Sequence, residues 1–181
     1  MNNKKLNRLN NILITGTPGT GKTSMATLLC DSLETNYNIK FQVINVGELI
    51  HNKKLYTEWN KEYDVPIFDE DKLLDELEPI IEQGNCIIDF HSSSFFPERW
   101  FSLVVLLRCN NTELYDRLKA RNYSDKKLNE NIECEIMEIT ADEVKESYNS
   151  DIVLEIKNEK IEDMKANIEV VMDYYNKTIN N

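Results

Sequence analysis

The chain has 181 residues, with 21 basic against 32 acidic side chains and a formal charge of −11 at neutral pH. That length suits one domain that needs no staple, and a field of that sign repels phosphate backbones, which excludes a general nucleic-acid coat and leaves no sequence-specific nucleic-acid binding expected. No apolar run approaches the roughly 18 residues of a membrane span, and Cys30, Cys86, Cys109 and Cys134 stand too far apart for a zinc or thioredoxin-like motif, so buried free thiols inside a cell are the expectation.

Lys4, Lys5 and Arg8 form a basic cluster free of acids and read as a solubilising tail. Five short apolar runs follow: Ile12 to Thr15, Phe41 to Val46, Cys86 to Phe90, Leu103 to Leu107 and Ile152 to Ile156. They are continuous rather than alternating, as strands covered on both faces are. Between them Lys22 to Leu33 reads as helix, and Asp69-Glu70-Asp71 opens a helix that ends before Gly84. Cys134, Met137, Ala141, Val144 and Tyr148 recur at helical spacing, as do Ile161, Met164, Ile168, Val171 and Tyr175. Strands alternating with helices predict an α/β fold, a parallel sheet with helices on both faces. Gly47 to Phe68, with Lys53, Lys54, Tyr56, Trp59 and Tyr63, has little periodicity and is expected to form helical excursions near the site.

Gly16-Thr17-Pro18-Gly19-Thr20-Gly21-Lys22-Thr23 follows the first run and matches the phosphate-loop pattern G-x-x-x-x-G-K-[ST] in its required strand-to-helix setting. Gly16, Gly19 and Gly21 let successive amides point inward at a phosphate. The helix opening at Lys22 adds its positive end. Lys22 can reach β and γ oxygens, the Thr23 hydroxyl is placed for magnesium, and Ser24 for the α-phosphate. The bland alternative is a Gly-rich turn without a ligand.

Asp89 ends an apolar strand where ligands bind in open parallel sheets, and is expected to act on the metal through water or on Thr23. It could instead cap the next segment. His91 falls on the same side by alternation and could orient water or relay a proton, or simply be a structural hydrogen-bonding group. Arg117 and Arg121 stack four residues apart on a helix begun at Asn110, a repulsion relieved if a phosphate lies between them. A Glu113 to Arg117 pair with Arg121 solvated is the alternative. Tyr123 to Asn131 is short and polar and suits a mobile lid.

GTPGTGKT at 16–23, INVGEL at 44–49, EYDVPIFDED at 62–71, IIDFHSSSFFPERWF at 87–101 and the stretch from Arg117 through KKLNENIECEI at 126–136 carry a resemblance to the adenylate kinase isoenzyme 6 family of P-loop nucleoside monophosphate kinases. It covers nearly the whole chain after Asn10. The resemblance implies a single P-loop NTPase domain of three layers, its five-stranded parallel sheet in the order 2-3-1-4-5, with a short lid near 120–130. It implies ATP binding by Gly16, Pro18, Gly19, Thr20, Gly21, Lys22, Thr23 and Ser24, with Arg121 across the lid hinge and Lys160 beside the adenine. A monophosphate region near 45–68 would include Asn45, Gly47 and His51, with Asp89 and His91 facing it. Implied too are magnesium as cofactor, ATP and AMP as substrates, ATP hydrolysis, work as a monomer, no membrane, and small ribosomal subunit maturation through a ribosomal protein, in nucleus and cytoplasm.

Two departures stand out. No arginine lies between Arg8 and Arg99, so His51, Lys53, Lys54 or Arg99 must hold an acceptor phosphate. Asn122 stands where glycine often follows the second lid arginine, and asparagine tolerates a left-handed turn. The readings that remain are phosphoryl transfer from ATP to AMP and an ATP-driven assembly factor. A GTP switch is disfavoured because no N-K-x-D motif occurs.

Overall fold

The computed structural model describes residues 10–60 and 65–180. Lys4, Lys5, Arg8 and Tyr63, and the start of the EYDVPIFDED segment, lie outside them.

Seven strands and seven α-helices are described: β1 (Ile12–Thr15), α1 (Lys22–Tyr37), β2 (Gln42–Asn45), α2 (Val46–Lys53), β3 (Tyr56–Asn60), β4 (Val65–Phe68), α3 (Glu70–Ile81), β5 (Cys86–Asp89), β6 (Leu103–Arg108), α4 (Asn111–Ala120), α5 (Asp125–Ile136), α6 (Ile139–Ser147), β7 (Val153–Lys157) and α7 (Asp163–Asn180). The main sheet runs β2-β5-β1-β6-β7, with every pair parallel. Counted among its own strands this is the order 2-3-1-4-5, and all five apolar runs lie in it.

Alternation along the buried strands divides the core by face. Leu13, Ile44, Ile88, Val104 and Leu106 pack with α2, α3, α6 and the aromatic group Phe90, Phe96, Trp100, Phe101 and Tyr148. Ile12, Ile14, Ile87, Val105 and Leu107 pack with α1 and α7. A small satellite of Cys109, Leu114, Leu118 and Leu128 seats α4 against α5. Asn11 closes the floor of the sheet: its side chain donates to the Ile81 and Trp100 carbonyls and accepts from the Cys86 amide, so a fully buried amide is satisfied on both sides.

Four expectations change. Among the described residues of Gly47 to Phe68 the one helix is α2, and β3 and β4 pair antiparallel, with Tyr56 opposite Phe68. The helical stripe from Cys134 to Tyr148 breaks at Glu138, whose φ of 57° is left-handed, giving two helices and leaving Met137 68% exposed. The segment from Tyr123 is polar because it caps and faces solvent, yet from Asp125 it is helix, with the Ser124 side chain accepting from the Lys127 amide. Ile161 precedes the last helix and is exposed rather than part of its buried face. No helix among the described residues is long and apolar enough to cross a membrane.

Candidate active site

Parallel strands end together, and the carboxyl ends of β1, β5 and β2 open onto a cleft of about 790 Å³. Pro18, Gly19, Gly21, Lys22, Thr23, Ser24, Asn45, Gly47, His51, Asp89, His91 and Arg121 line it, all anticipated from the sequence. Gly16 and Thr20 belong to the loop but lie behind its surface. Thr20 is fully buried and its hydroxyl donates to the Thr17 carbonyl at 2.9 Å, bracing the turn.

The loop cannot be built otherwise. Gly19 and Gly21 have φ of 99° and 98°, and a Cβ on them would meet Leu114 Cδ1 at 2.7 Å and Asn158 Nδ2 at 2.5 Å. Both the backbone conformation and the space demand glycine. Lys22 folds back within this turn, donating to the Gly16 and Thr17 carbonyls at 2.7 and 3.1 Å. Burial pulls its ammonium down to a pKa of about 8; Asp89 and Glu135 oppose that shift and Arg121 adds to it.

Register brings the carboxylate to the loop. Asn45 and Asp89 are partners across β2 and β5, and Thr23 lies in the first turn of α1, the helix that follows β1. Thr23 donates its hydroxyl to Asp89 Oδ2 at 2.6 Å, and Asn45 donates its amide to the same oxygen at 2.9 Å. Asn45 meanwhile caps α2, accepting from the Glu48 amide at 2.9 Å. One asparagine therefore ties the acceptor-side helix to the acid at the loop. The adjoining hydroxyl and carboxylate are hard oxygen donors suited to a nucleotide-bound magnesium. No cluster of three or more His, Cys, Asp or Glu able to hold a metal alone occurs among the described residues, so phosphate oxygens must complete any such shell.

His91 faces the cleft beside the Phe90 ring, 4.5 Å between centroids. By area His91 is exposed to the cleft, yet its walls crowd the ring closely: desolvation, then the positive charges of Lys22 and Lys127, pull its pKa down to about 4, so it is neutral near pH 7.

Arg117 does not share a phosphate position with Arg121. Its guanidinium donates to the Gly19 carbonyl at 3.2 Å, the Asn158 carbonyl at 3.1 Å and the Glu159 carbonyl at 2.5 Å. Those oxygens satisfy the planar donor fork, so Arg117 clamps the phosphate loop to the turn after β7 while Arg121 alone lines the cleft. Lys160 is exposed and lies outside the lining. Of the four cations that could replace an acceptor-site arginine, only His51 lines the cleft. Lys53 pairs with Glu76 at 3.3 Å and Arg99 with Glu78 at 3.6 Å.

Several residues escaped sequence reasoning. Lys127, Glu130, Cys134 and Glu143 line the cleft from α5 and α6; Lys127 and Glu130 fall in the segment expected to act as a lid, but none of the four was singled out as a site residue. Asn158 is buried and donates to the Thr20 carbonyl at 2.8 Å. A single asparagine far from the loop carries no sequence signal for that contact.

Comparison with known proteins agrees with this geometry. A family model described as an AAA domain matches residues 12–138. A protein of Drosophila melanogaster named adenylate kinase isoenzyme 6 homolog is 45% identical over 165 residues, 91% of each chain. The chain belongs to the adenylate kinase isoenzyme 6 family. A Dictyostelium discoideum protein of the same name is 42% identical over 157 residues, 87% of this chain and 86% of that one. Among solved structures, the shikimate kinase of Bacteroides thetaiotaomicron superposes with a TM-score of 0.61 at 16% identity, covering 91% of this chain and 97% of that one. That likeness establishes the P-loop kinase fold, and the relatives place the chain among nucleotide kinases.

Proposed function

We propose that this protein transfers the γ-phosphoryl group of ATP to AMP, giving two ADP, and hydrolyses ATP when no acceptor is bound. The observation that carries the reading is the cluster in which Lys22, Thr23 and Asp89 converge at the mouth of a glycine loop. Lys22 leaves the Gly16 and Thr17 carbonyls for the β and γ oxygens, exchanging two neutral acceptors for anionic ones. Loop amides hold the polyphosphate in place, and Arg121 neutralises charge that grows on the transferring group. Thr23 and, through water, Asp89 would hold magnesium, which supplies charge neutralisation to the β and γ oxygens. Neutral His91, with Asp89, orients the attacking oxygen by hydrogen bonding; so low a pKa makes it a poor base. The first turns of α5, carrying Lys127 and Glu130, act as the lid.

A second reading is favoured by one feature: the described acceptor wall offers no arginine to the cleft. On that reading water is the main acceptor, and the chain is an ATP-hydrolysing assembly factor for the small ribosomal subunit. It would work as a monomer in nucleus and cytoplasm with a ribosomal protein as partner. Incubation with ATP and magnesium, with and without AMP, separates the two when ADP and free phosphate are followed independently. Phosphate release without AMP that gives way to ADP formation when AMP is added supports the kinase reading; phosphate release indifferent to AMP overturns it in favour of the hydrolase.

A further inference from the structure

Glu135, in the last turn of α5, is 4% exposed and takes no part in the chemistry above. Its Oε2 accepts the Thr17 hydroxyl of the phosphate loop at 2.5 Å. Its Oε1 accepts from Arg108 Nε at 2.8 Å and from the Cys109 amide at 3.2 Å, at the carboxyl end of β6. Arg108 also donates to the Glu135 carbonyl and reaches Glu138 and Glu155, each at 3.3 Å. Burial opposes the Arg108 charge, and the Glu135 and Glu138 carboxylates more than offset that, holding its pKa above the ordinary value.

A buried ion pair is weak support for stability, since desolvation cancels much of the attraction. What distinguishes this one is its third partner. Thr17 is no ordinary core residue: its carbonyl accepts from Lys22 Nζ, from the Thr20 amide and from the Thr20 hydroxyl. The Glu135 carboxylate thus grips the residue on which the turn of the loop is organised. The same helix presents Lys127, Glu130, Asn131 and Cys134 to the cleft.

We propose that Glu135 is a positioning residue for phosphoryl transfer, its buried carboxylate fixing the phosphate loop through the Thr17 hydroxyl and thereby setting the loop against the cleft wall carried by α5. The inference rests on the nucleotide-binding reading of the loop and assigns a second layer to it. A loop released from this contact must be ordered when nucleotide binds, so affinity falls although every phosphate-contacting group remains.

Thr17→Val removes the hydroxyl at constant shape and leaves the Glu135–Arg108 pair in place; Glu135→Gln removes the charge at constant shape. Calorimetry with ATP and excess magnesium is expected to show about a tenfold loss of affinity for each, the scale of one charge-assisted hydrogen bond. The double variant loses no more than the larger single loss, because both changes break one contact. Thr17→Ser, which keeps the hydroxyl, recovers most of the affinity. A Thr17→Val protein with wild-type affinity, or single losses that multiply in the double variant, overturns the proposal. A purely structural pair would instead lower the unfolding temperature of Glu135→Gln without changing affinity. Amide exchange at residues 19–23 of the nucleotide-free protein, expected to quicken about tenfold in Thr17→Val on the same scale, needs no turnover. If the wild type bound no nucleotide, the functional reading would fail, and unchanged or faster exchange would still decide the positioning role.

Discussion

The donor wall of the cleft, residues 16–24, and the wall proposed to take the acceptor, residues 45–68, flank the same strand, β5, yet are built on different terms. The donor wall is a backbone device: glycines forced to positive φ, a lysine satisfied by loop carbonyls, and the buried Asn158 and Glu135 with the half-buried Arg117 bracing the turn from outside. The acceptor wall is a side-chain device, a short helix capped by Asn45 followed by a hairpin with Pro66 and Phe68 facing the cleft. Of its described basic side chains, Lys53 pairs with Glu76 and only His51 lines the cleft. A backbone device tolerates little change and binds any polyphosphate; a side-chain device sets which acceptor is taken, and can lose its acceptor altogether.

If that contrast holds, substitutions on the donor wall cost most. Lys22→Ala should lower kcat/KM for ATP by about 10²–10³-fold, the scale of removing one charge-stabilising donor from a preorganised site; steady-state kinetics with any acceptor checks it. Asp89→Ala should follow at about 10²-fold on the same scale, with the added signature that the loss shrinks as magnesium is raised. The pH profile sharpens the donor side further. Because Lys22 titrates at about 8 in the empty site, log kcat/KM for ATP falls as pH rises through 8, the protonated form being the one that binds. His91, neutral above its pKa of about 4, contributes no inflection near 6.5, and an inflection there that vanishes in His91→Asn would contradict its placement.

The acceptor side gives smaller effects. His51→Ala is expected to raise KM for AMP about tenfold, the scale of one hydrogen bond to a charged group, with KM for ATP unchanged. Arg99→Ala should leave KM for AMP within about twofold, since its exposed pair with Glu78 is worth little and lies away from the cleft. A large AMP effect from Arg99 together with none from His51 would show that the acceptor wall rearranges on binding.

The same contrast explains what could be read from the sequence. The five strands of the sheet and the phosphate loop were legible because burial on both faces and the demand for positive φ leave local marks: continuous apolar runs and fixed glycines. Asn122, at φ 57°, takes the left-handed turn its residue type allows. The acceptor wall was opaque because β3 and β4 are short and paired only with each other, so neither helical nor strand periodicity accumulates over Tyr56 to Phe68. The break at Glu138 was hidden because the apolar spacing on either side stays in phase. Glu135, Arg108 and Asn158 were invisible as site residues for a different reason: their partners are brought together by the topology from far along the chain, and one buried polar residue carries no pattern. For Arg117, like charges four residues apart invite an anion between them, and the structure adds what spacing cannot show: backbone carbonyls far along the chain also satisfy its guanidinium.

On the proposed function, residues 16–23 wrap main-chain amides around a polyphosphate with Lys22 at its far end. Titration calorimetry of the wild type and Lys22→Ala with ATP and excess magnesium tests it most directly. Saturable heat in the wild type, lost or greatly weakened in the variant, is the expected result. No heat of association at millimolar nucleotide, or the same isotherm from both proteins, would contradict it.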